Sequence, residues 1–335
     1  LWATIRLIRR IRPTIVNAST PKAGLLGSVA AWVCRVPVRV YGVRGFRFET
    51  ATGWRRRLFT GLEWAAMRCA NHVVFNSFSL MAVGERERVI RPDRGEVIGA
   101  GSGNGIDVDR FADHQLPTRA NARAQFGLPA DAQVIGFVGR FTKDKGIEDL
   151  IEVFTGLTRP SHELGARILR DGSTRTAEDA AAGSGLWLLL VGEFEDGDPV
   201  ASATRRTIAL HDRIVVVPWL EHTGAAYRAM NVLAFPSYRE GLPNVPLEAQ
   251  LCGVPVVGYA ATGTVDAVAS KEFLARVGDR RALAQLIEES LSEPHAGEVL
   301  ALAAAQWTAE RFDRRTAWTS QASRLIEWAN RASGR

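Results

Sequence analysis

Short apolar runs alternate with amphipathic stretches along most of the chain, and that alternation predicts an α/β protein built on parallel strands. Residues 1–12 have helical spacing, with Leu1, Ile5 and Ile8 on one side and Arg6, Arg9 and Arg10 on another; Pro13 ends the segment. Thr14–Asn17 reads as a short strand, Ser19–Gly24 as a loop and Leu25–Cys34 as a small-residue helix. Val38–Val43 is a β-rich strand, followed by the polar loop Arg44–Gly53. Trp54–Ala70 carries apolar residues at 58, 62, 65, 66 and 69, a helical pattern, and arginines 55, 56, 57 and 68 on its other face. His72–Phe75 is a strand, Ser77–Arg88 a helix and Gly95–Ala100 a further strand.

Residues 112–132 are polar, with two prolines and two Ala-Asp pairs, and the domain junction is placed there. A second alternating series follows, with strands Val134–Gly139, Leu186–Gly192, Ile214–Trp219, Val232–Phe235 and Pro255–Tyr259. Gly156–Gly185 interrupts it as a polar surface excursion. Residues 281–335 look helical, the last helix running from about Arg315 to Asn330. The expected division is 1–118, 119–310 and a C-terminal helix in 311–335 that returns to the first domain. Open parallel sheets bind ligands outside the carboxyl ends of their strands. In the second domain those ends gather Gly139-Arg140, Gly192, Pro218-Trp219, Ser237–Glu240 and Thr262–Thr264.

Composition narrows the class. At 335 residues, 46% hydrophobic and 23% charged, the chain suits two globular domains rather than a disordered one. No apolar run approaches the ~18 residues of a membrane span, and Leu1–Arg12 lacks the continuous apolar core of a signal peptide. Cys34, Cys69 and Cys252 are too scattered for a disulfide framework or a zinc site, which fits a reduced cytoplasmic protein. Residues 1–110 hold 18 Lys and Arg against 8 Asp and Glu, while the remainder is slightly acidic. The basic part points to an anionic partner: nucleic acid, a membrane face or a diphosphate. Nucleic acid ranks last, because no recognition motif or aromatic interleaving accompanies the charge. Taken singly, the arginines at 55–57 read as one solvated face of a surface helix; with Trp54, Phe59 and Trp64 as interfacial anchors, the basic balance of the first part tilts the reading toward an anionic lipid surface.

Candidate chemistry centres on Val232–Gly253. An apolar run ends at Pro236-Ser237, a loop holds Glu240, Gly241, Leu242, Pro243 and Asn244, and a helix begins near Val245. A strand–loop–helix of this kind aims free N–H groups and a helix dipole at one point, which favours a phosphate. Glu240 and Glu248 beside it can accept hydrogen bonds from sugar hydroxyls. Arg140 and Lys145 flank another strand-to-helix turn after Gly139 and suit the two phosphates of a nucleotide diphosphate. The glycine-rich Gly99–Asp107 reads as an interdomain turn rather than a phosphate loop. The triplets Asp107-Val108-Asp109 and Asp196-Gly197-Asp198 have no further ligand nearby in sequence, so no metal is assigned.

These residues resemble the family 4 glycosyltransferases of the GT-B fold, in particular bacterial enzymes that extend lipid-linked sugars. The resemblance runs through STPKAGLLG (19–27), RGFRFETATG (44–53), GSGNGIDVDRF (101–111), GFVGRFTKDKGIEDLI (136–151), LLLVGEFEDGDP (188–199), FPSYREGLPNVPLEAQLCGVPVV (235–257) and ATGTVDAV (261–268). It implies two Rossmann-like domains facing a cleft. By resemblance, Arg140 and Lys145 bind the donor pyrophosphate beside Gly139, Glu240 contacts the donor sugar and Glu248 holds the ribose. Backbone around Gly241–Val245 meets sugar and phosphate, residues around Pro218–Leu220 lie by the base, and Lys22, Arg44 and Arg47 lie on the acceptor side. It further implies retention of configuration, no metal or other cofactor, and no dedicated protein base, the departing phosphate oxygen helping to deprotonate the acceptor. The expected partners are a nucleotide diphosphate sugar, UDP-linked by resemblance, a polyprenyl-diphosphate-linked saccharide, and the anionic inner face of the cell membrane, where a peripheral enzyme would sit. Family members usually begin with a further βαβαβ segment that is not seen here. On that ground Thr14–Asn17 and Ala23–Cys34 are expected to be under-covered, and an inactive nucleotide-sugar-binding fragment is the alternative, as is a transferase acting on a soluble acceptor. The usual turn after residues 261–268 is expected to be shortened, with Ser270–Arg276 running straight on.

Overall fold

The computed structural model describes residues 1–158, 167–168, 174–175, 185–292 and 294–334. Most of the 156–185 interruption lies outside the described residues.

The β-branched runs form two parallel sheets, each strand leading through a Gly, Pro or polar turn toward a helix. In the first, β1 (Ile15–Ser19), β2 (Val38–Val43), β3 (His72–Phe75) and β4 (Gly95–Glu96) lie in chain order. Between them run α2 (Pro21–Val33), α3 (Gly53–Cys69) and α4 (Phe78–Arg86), preceded by α1 (Trp2–Ile11). After α5 (Arg119–Gln125) the second sheet contains β5 (Gln133–Val138), β8 (Leu186–Val191), β9 (Ile214–Val217), β10 (Val232–Phe235), β11 (Val256–Tyr259) and β12 (Leu274–Ala275). A separate two-stranded ribbon pairs β6 (Arg167–Ile168) with β7 (Thr174–Arg175). The helices of this half are α6 (Ile147–Thr158), α7 (Ser202–Leu210), α8 (Gly224–Ala229), α9 (Asn244–Leu251), α10 (Thr264–Ala267) and α11 (Arg280–Ser292). The chain closes with α12 (Pro294–Phe312) and α13 (Arg314–Ala332).

The order of the second sheet is β12-β11-β10-β5-β8-β9, every pair parallel. Strands therefore step outward from β5 on one side, then restart beside it with β10 and step outward on the other. This is the doubly wound arrangement, and its switch point lies between β5 and β10, where helices on opposite faces leave a crevice. Side chains of β5 alternate as a strand requires. Val134 and Val138 enter one buried cluster with Leu233 and Leu247, and Ile135 and Phe137 enter another with Leu150 and Leu190. Both faces are covered, so the strands read as continuous apolar runs. The GT-B class expected from the sequence is the observed one.

Three local expectations are corrected. The helix after β1 begins at Pro21, not at Leu25: proline at the first helical position supplies a preset φ and lacks an N–H that would go unbonded anyway. The strand expected over Gly95–Ala100 is only Gly95–Glu96, because the chain turns away at Gly99, where φ is 60°. Ser270–Arg276 does not run straight on: a 3-10 turn at Lys271–Phe273 delivers Leu274–Ala275 to the sheet edge as β12. The expected bare face on α2 is also covered at Ala30 and Ala31, against which α1 packs Ile5 and Ile8.

The final helix packs on the first sheet. Asp313 caps α13 by accepting from the N–H groups of Arg315 and Thr316, and Ile106 N–H donates to Phe312 C=O at 2.7 Å just before it. Trp328 and Leu325 then cover Val38 and Val40, and the Trp328 ring stacks on His72 with centroids 4.0 Å apart. Trp328→Ala is expected to cost about 3 kcal/mol, the loss of a large buried ring plus its cavity. Chemical denaturation monitored by far-UV circular dichroism checks this; an unchanged midpoint would mean that α13 does not stabilise the first domain.

Candidate active site

A cavity of about 370 Å³ opens at the switch point, between the carboxyl ends of β5 and β10 and the facing edge of the first domain. From the second domain Val138, Gly139, Lys145, Phe235 and the Glu240–Val245 loop line it; from the first, Arg44, Asn76, Ser102, Gly103 and Asn104. Lys145 reaches it because of Gly146. That glycine has φ 71° and passes so close to Pro236 that a Cβ would lie 2.0 Å from the Pro236 carbonyl oxygen. Only glycine allows this crossing, and it sets Lys145 beside the 236–240 loop.

There Lys145 Nζ donates to Glu240 Oε1 at 2.5 Å, and Ser237 Oγ donates to the same oxygen at 2.8 Å. Glu240 N–H donates to Thr262 C=O, which fixes the backbone. Both side chains of the pair are largely shielded from solvent, so their attraction is weakly screened. Two donors on Oε1 orient the carboxylate and leave Oε2 without a bond from the described residues, able to accept from a hydroxyl. Asn244 and Val245 stand in the first turn of α9, whose dipole favours an anion in the cavity.

Glu248 lies one turn beyond Asn244. Its carboxylate accepts from the Tyr227 hydroxyl at 2.8 Å and from Thr223 Oγ1 at 3.3 Å. Burial raises its pKa, while those two bonds pull it down. Burial and the neighbouring Glu248 push the Tyr227 phenol well above its ordinary range, so it remains a hydrogen-bond donor.

The other residues singled out from sequence are spread more widely. Arg140 does not share the Lys145 cavity: it pairs with Glu195 and lines a second groove of about 810 Å³, together with Arg47, Trp54 and Arg239. Arg47 lies over the Phe59 ring at 5.2 Å. Leu220 is partly buried and packs against the second domain's core rather than lining the cavity. Lys22 is exposed on the first turn of α2. Asn76, Ser102 and Asn104 were not singled out, yet they form the facing wall. Asn76 directly follows β3, and its place at the carboxyl end of a parallel strand was the available signal.

The two walls are tied across the cleft. Ser77 Oγ donates to Gly241 C=O at 2.6 Å, Gly263 N–H donates to Ser79 Oγ at 2.7 Å, and Thr262 Oγ1 donates to Glu49 Oε1 at 2.6 Å. Asp266 also accepts from Ser79 N–H. Burial raises the pKa of Glu49, against the lowering effects of Thr262 and Arg239.

Known proteins resemble this chain in sequence and fold. Over 337 aligned residues the chain is 30% identical to the capsular polysaccharide biosynthesis glycosyltransferase CapM of Staphylococcus aureus, covering all of this chain and 82% of CapM. It is 34% identical over 169 residues to D-inositol 3-phosphate glycosyltransferase of Mycobacteroides abscessus, covering 50% of this chain and 32% of that protein. Among solved structures, Anabaena HepE in complex with UDP-glucose superimposes with a TM-score of 0.75 at 21% identity, covering 97% of this chain and 82% of that one. The pattern of the glycosyl transferases group 1 family matches residues 118–307, and the chain belongs to that family.

Proposed function

We propose that this chain transfers a hexosyl or N-acetylhexosaminyl group, with retention, from a UDP-linked sugar to a saccharide carried on a polyprenyl diphosphate, in the manner of family 4 glycosyltransferases, on the cytoplasmic face of the cell membrane. The observation that carries the reading is the Lys145–Glu240 pair, set at the switch point under the first turn of α9. A nucleotide diphosphate sugar presents both an anion for Lys145 and the 241–245 backbone, and hydroxyls for Glu240 Oε2 and Glu248. When the bond from the sugar's anomeric carbon to the diphosphate oxygen breaks, negative charge grows on that oxygen beside Lys145, where a fixed cation lowers the barrier. The acceptor oxygen bonds to the anomeric carbon on the same face, and its proton passes to the departing phosphate, so no protein base is required. The UDP-glucose complex of HepE supports the choice of carrier, and the name of CapM supports a polysaccharide product.

The membrane assignment draws on the first domain. Helix α1 packs on α2, and α2 on α3. Trp2, Trp32, Trp54 and Trp64 are exposed on these helices, and Arg6, Arg9, Arg10, Arg55 and Arg57 are exposed among them. Indoles and arginines together suit an anionic lipid interface. No helix among the described residues is long and apolar enough to cross a membrane, so the contact would be peripheral.

The test is mass spectrometry of products from a panel of UDP-sugars offered with short-chain polyprenyl-diphosphate saccharides and with free sugars. A product one sugar heavier on the lipid-linked acceptor is expected. Transfer only to free acceptors would sink the lipid-linked reading, and UDP binding without UDP release in any combination would sink transfer itself.

A further inference from the structure

We infer that Arg44 is a substrate-binding cation of this site: its guanidinium holds an oxyanion of a diphosphate at the seam between the two domains. The inference rests on the nucleotide-sugar reading and adds a residue to it.

Charge accounting in the cavity comes first. Three charged side chains line it, Arg44, Lys145 and Glu240. Lys145 and Glu240 form an ion pair and balance each other in net charge. Among the described residues Arg44 has no carboxylate partner, and its one polar contact is a long 3.5 Å bond from Nη2 to Asn104 Oδ1. The uncompensated charge facing the cavity is therefore that of Arg44. A planar guanidinium with free N–H groups fits two phosphate oxygens at once. Arg140, paired with Glu195 on the other groove, does not compete for that place.

Geometry then fixes Arg44. Its carbonyl oxygen lies against Gly241, where a Cβ would come within 2.1 Å of it, so its backbone abuts the second domain at the seam. Its guanidinium rests over Gly103: a Cβ there would meet both Arg44 Nη2 and Asn76 Oδ1 at 3.2 Å. Gly103 is thus a cradle that a methyl group would crowd. Arg44 also lines a smaller cavity of about 60 Å³ in the first domain, beside Asn17, Gly42 and Trp328. It stands where the two cavities meet.

The source of that diphosphate, donor or lipid-linked acceptor, is read from the experiment. Titration calorimetry compares wild type, Arg44→Gln, Arg44→Lys and Gly103→Ala with three probes: UDP, uridine and geranyl diphosphate. Arg44→Gln is expected to weaken one diphosphate probe about tenfold or more, the size of a charge-assisted bond, and to leave uridine within about twofold. Arg44→Lys, which keeps the charge but loses the fork, should fall between, and Gly103→Ala should weaken the same probe. A loss confined to UDP assigns the donor; a loss confined to geranyl diphosphate assigns the acceptor. If wild type binds UDP tightly and Arg44→Gln leaves both diphosphates within about twofold, the role of Arg44 is overturned. If wild type binds UDP no better than uridine, the nucleotide-sugar reading itself fails. Arg44 is exposed to the cleft, so its variants should keep the wild-type melting temperature.

Discussion

Lys145→Ala is expected to lower turnover about a thousandfold and to leave the fold in place. The chemical part follows from position. Lys145 Nζ is the cation bonded to Glu240 at the mouth of β5 and β10, where the proposed reaction develops negative charge on the leaving phosphate. Removing one preorganised stabilising group from such a site costs about 10²–10³ in turnover. A second loss adds to it. The Glu240 carboxylate, mostly shielded, would keep only the Ser237 hydroxyl on Oε1. It would then repel the diphosphate it now helps to place. Stability should change little, because Lys145 ends a short 3-10 turn and belongs to neither apolar cluster of its domain. Steady-state UDP release by wild type and variant at equal folded concentration measures the effect. A turnover within about tenfold of wild type would remove Lys145 from the chemistry.

Much of this site was legible in the sequence because it is local. The run ending at Phe235, the loop holding Glu240 and the helix that follows occupy one stretch, and the continuous apolar run with its Pro-Ser stop places the loop at a strand's carboxyl end. Arg140 shows where local reading stops. After Gly139, whose φ is 148°, a side chain's direction depends on backbone torsions and on a partner, and Glu195 lies 55 residues away on the turn after β8. The facing wall was harder still. Asn76, Ser102 and Asn104 come from two turns of the first domain, and they gain meaning only where Gly101 brings its loop against Asn76. A Cβ on Gly101 would lie 2.2 Å from the Asn76 carbonyl oxygen. Gly101 and Gly105 thus serve close approaches between backbones, to Asn76 and to Arg314, while Gly103 lines the cleft. The start of α2 failed for a different reason. Pro21 in a Ser-Thr-Pro-Lys stretch reads as loop punctuation, although its fixed φ suits the first turn of a helix equally well.

That close packing across the cleft sets the second large expectation: Gly241→Ala should reduce transfer about a hundredfold with both domains still folded. A methyl group on Gly241 would lie 2.1 Å from the Arg44 carbonyl oxygen and 2.7 Å from its carbon, which backbone atoms cannot accommodate. Arg44 has no room to yield, since Val43 and Phe46 on either side of it are fully buried. Gly241 is hemmed in behind by Gly263, whose own Cβ would meet the Gly241 carbonyl oxygen at 2.7 Å. The remaining relief is separation of the two walls. It would stretch the Ser77–Gly241, Thr262–Glu49 and Ser79–Gly263 bonds and move Arg44, Asn76 and Asn104 away from Lys145 and Glu240. Displacing a reacting group by about 1 Å can cost 10² in rate. The apolar clusters on the two faces of the second sheet do not include Gly241, so they have no reason to melt. Ser77→Ala gives the comparison: without adding volume it deletes the 2.6 Å bond to the Gly241 carbonyl and the cap on Leu80 N–H at the start of α4, of which only the first crosses the cleft, and it should slow transfer by less than about tenfold, the worth of one neutral hydrogen bond there. Small-angle scattering should show a larger radius of gyration for Gly241→Ala than for wild type. Full activity with an unchanged radius would mean that contact between Arg44 and Gly241 is not what closes the cleft. A larger radius with full activity would mean instead that closure is not needed for transfer.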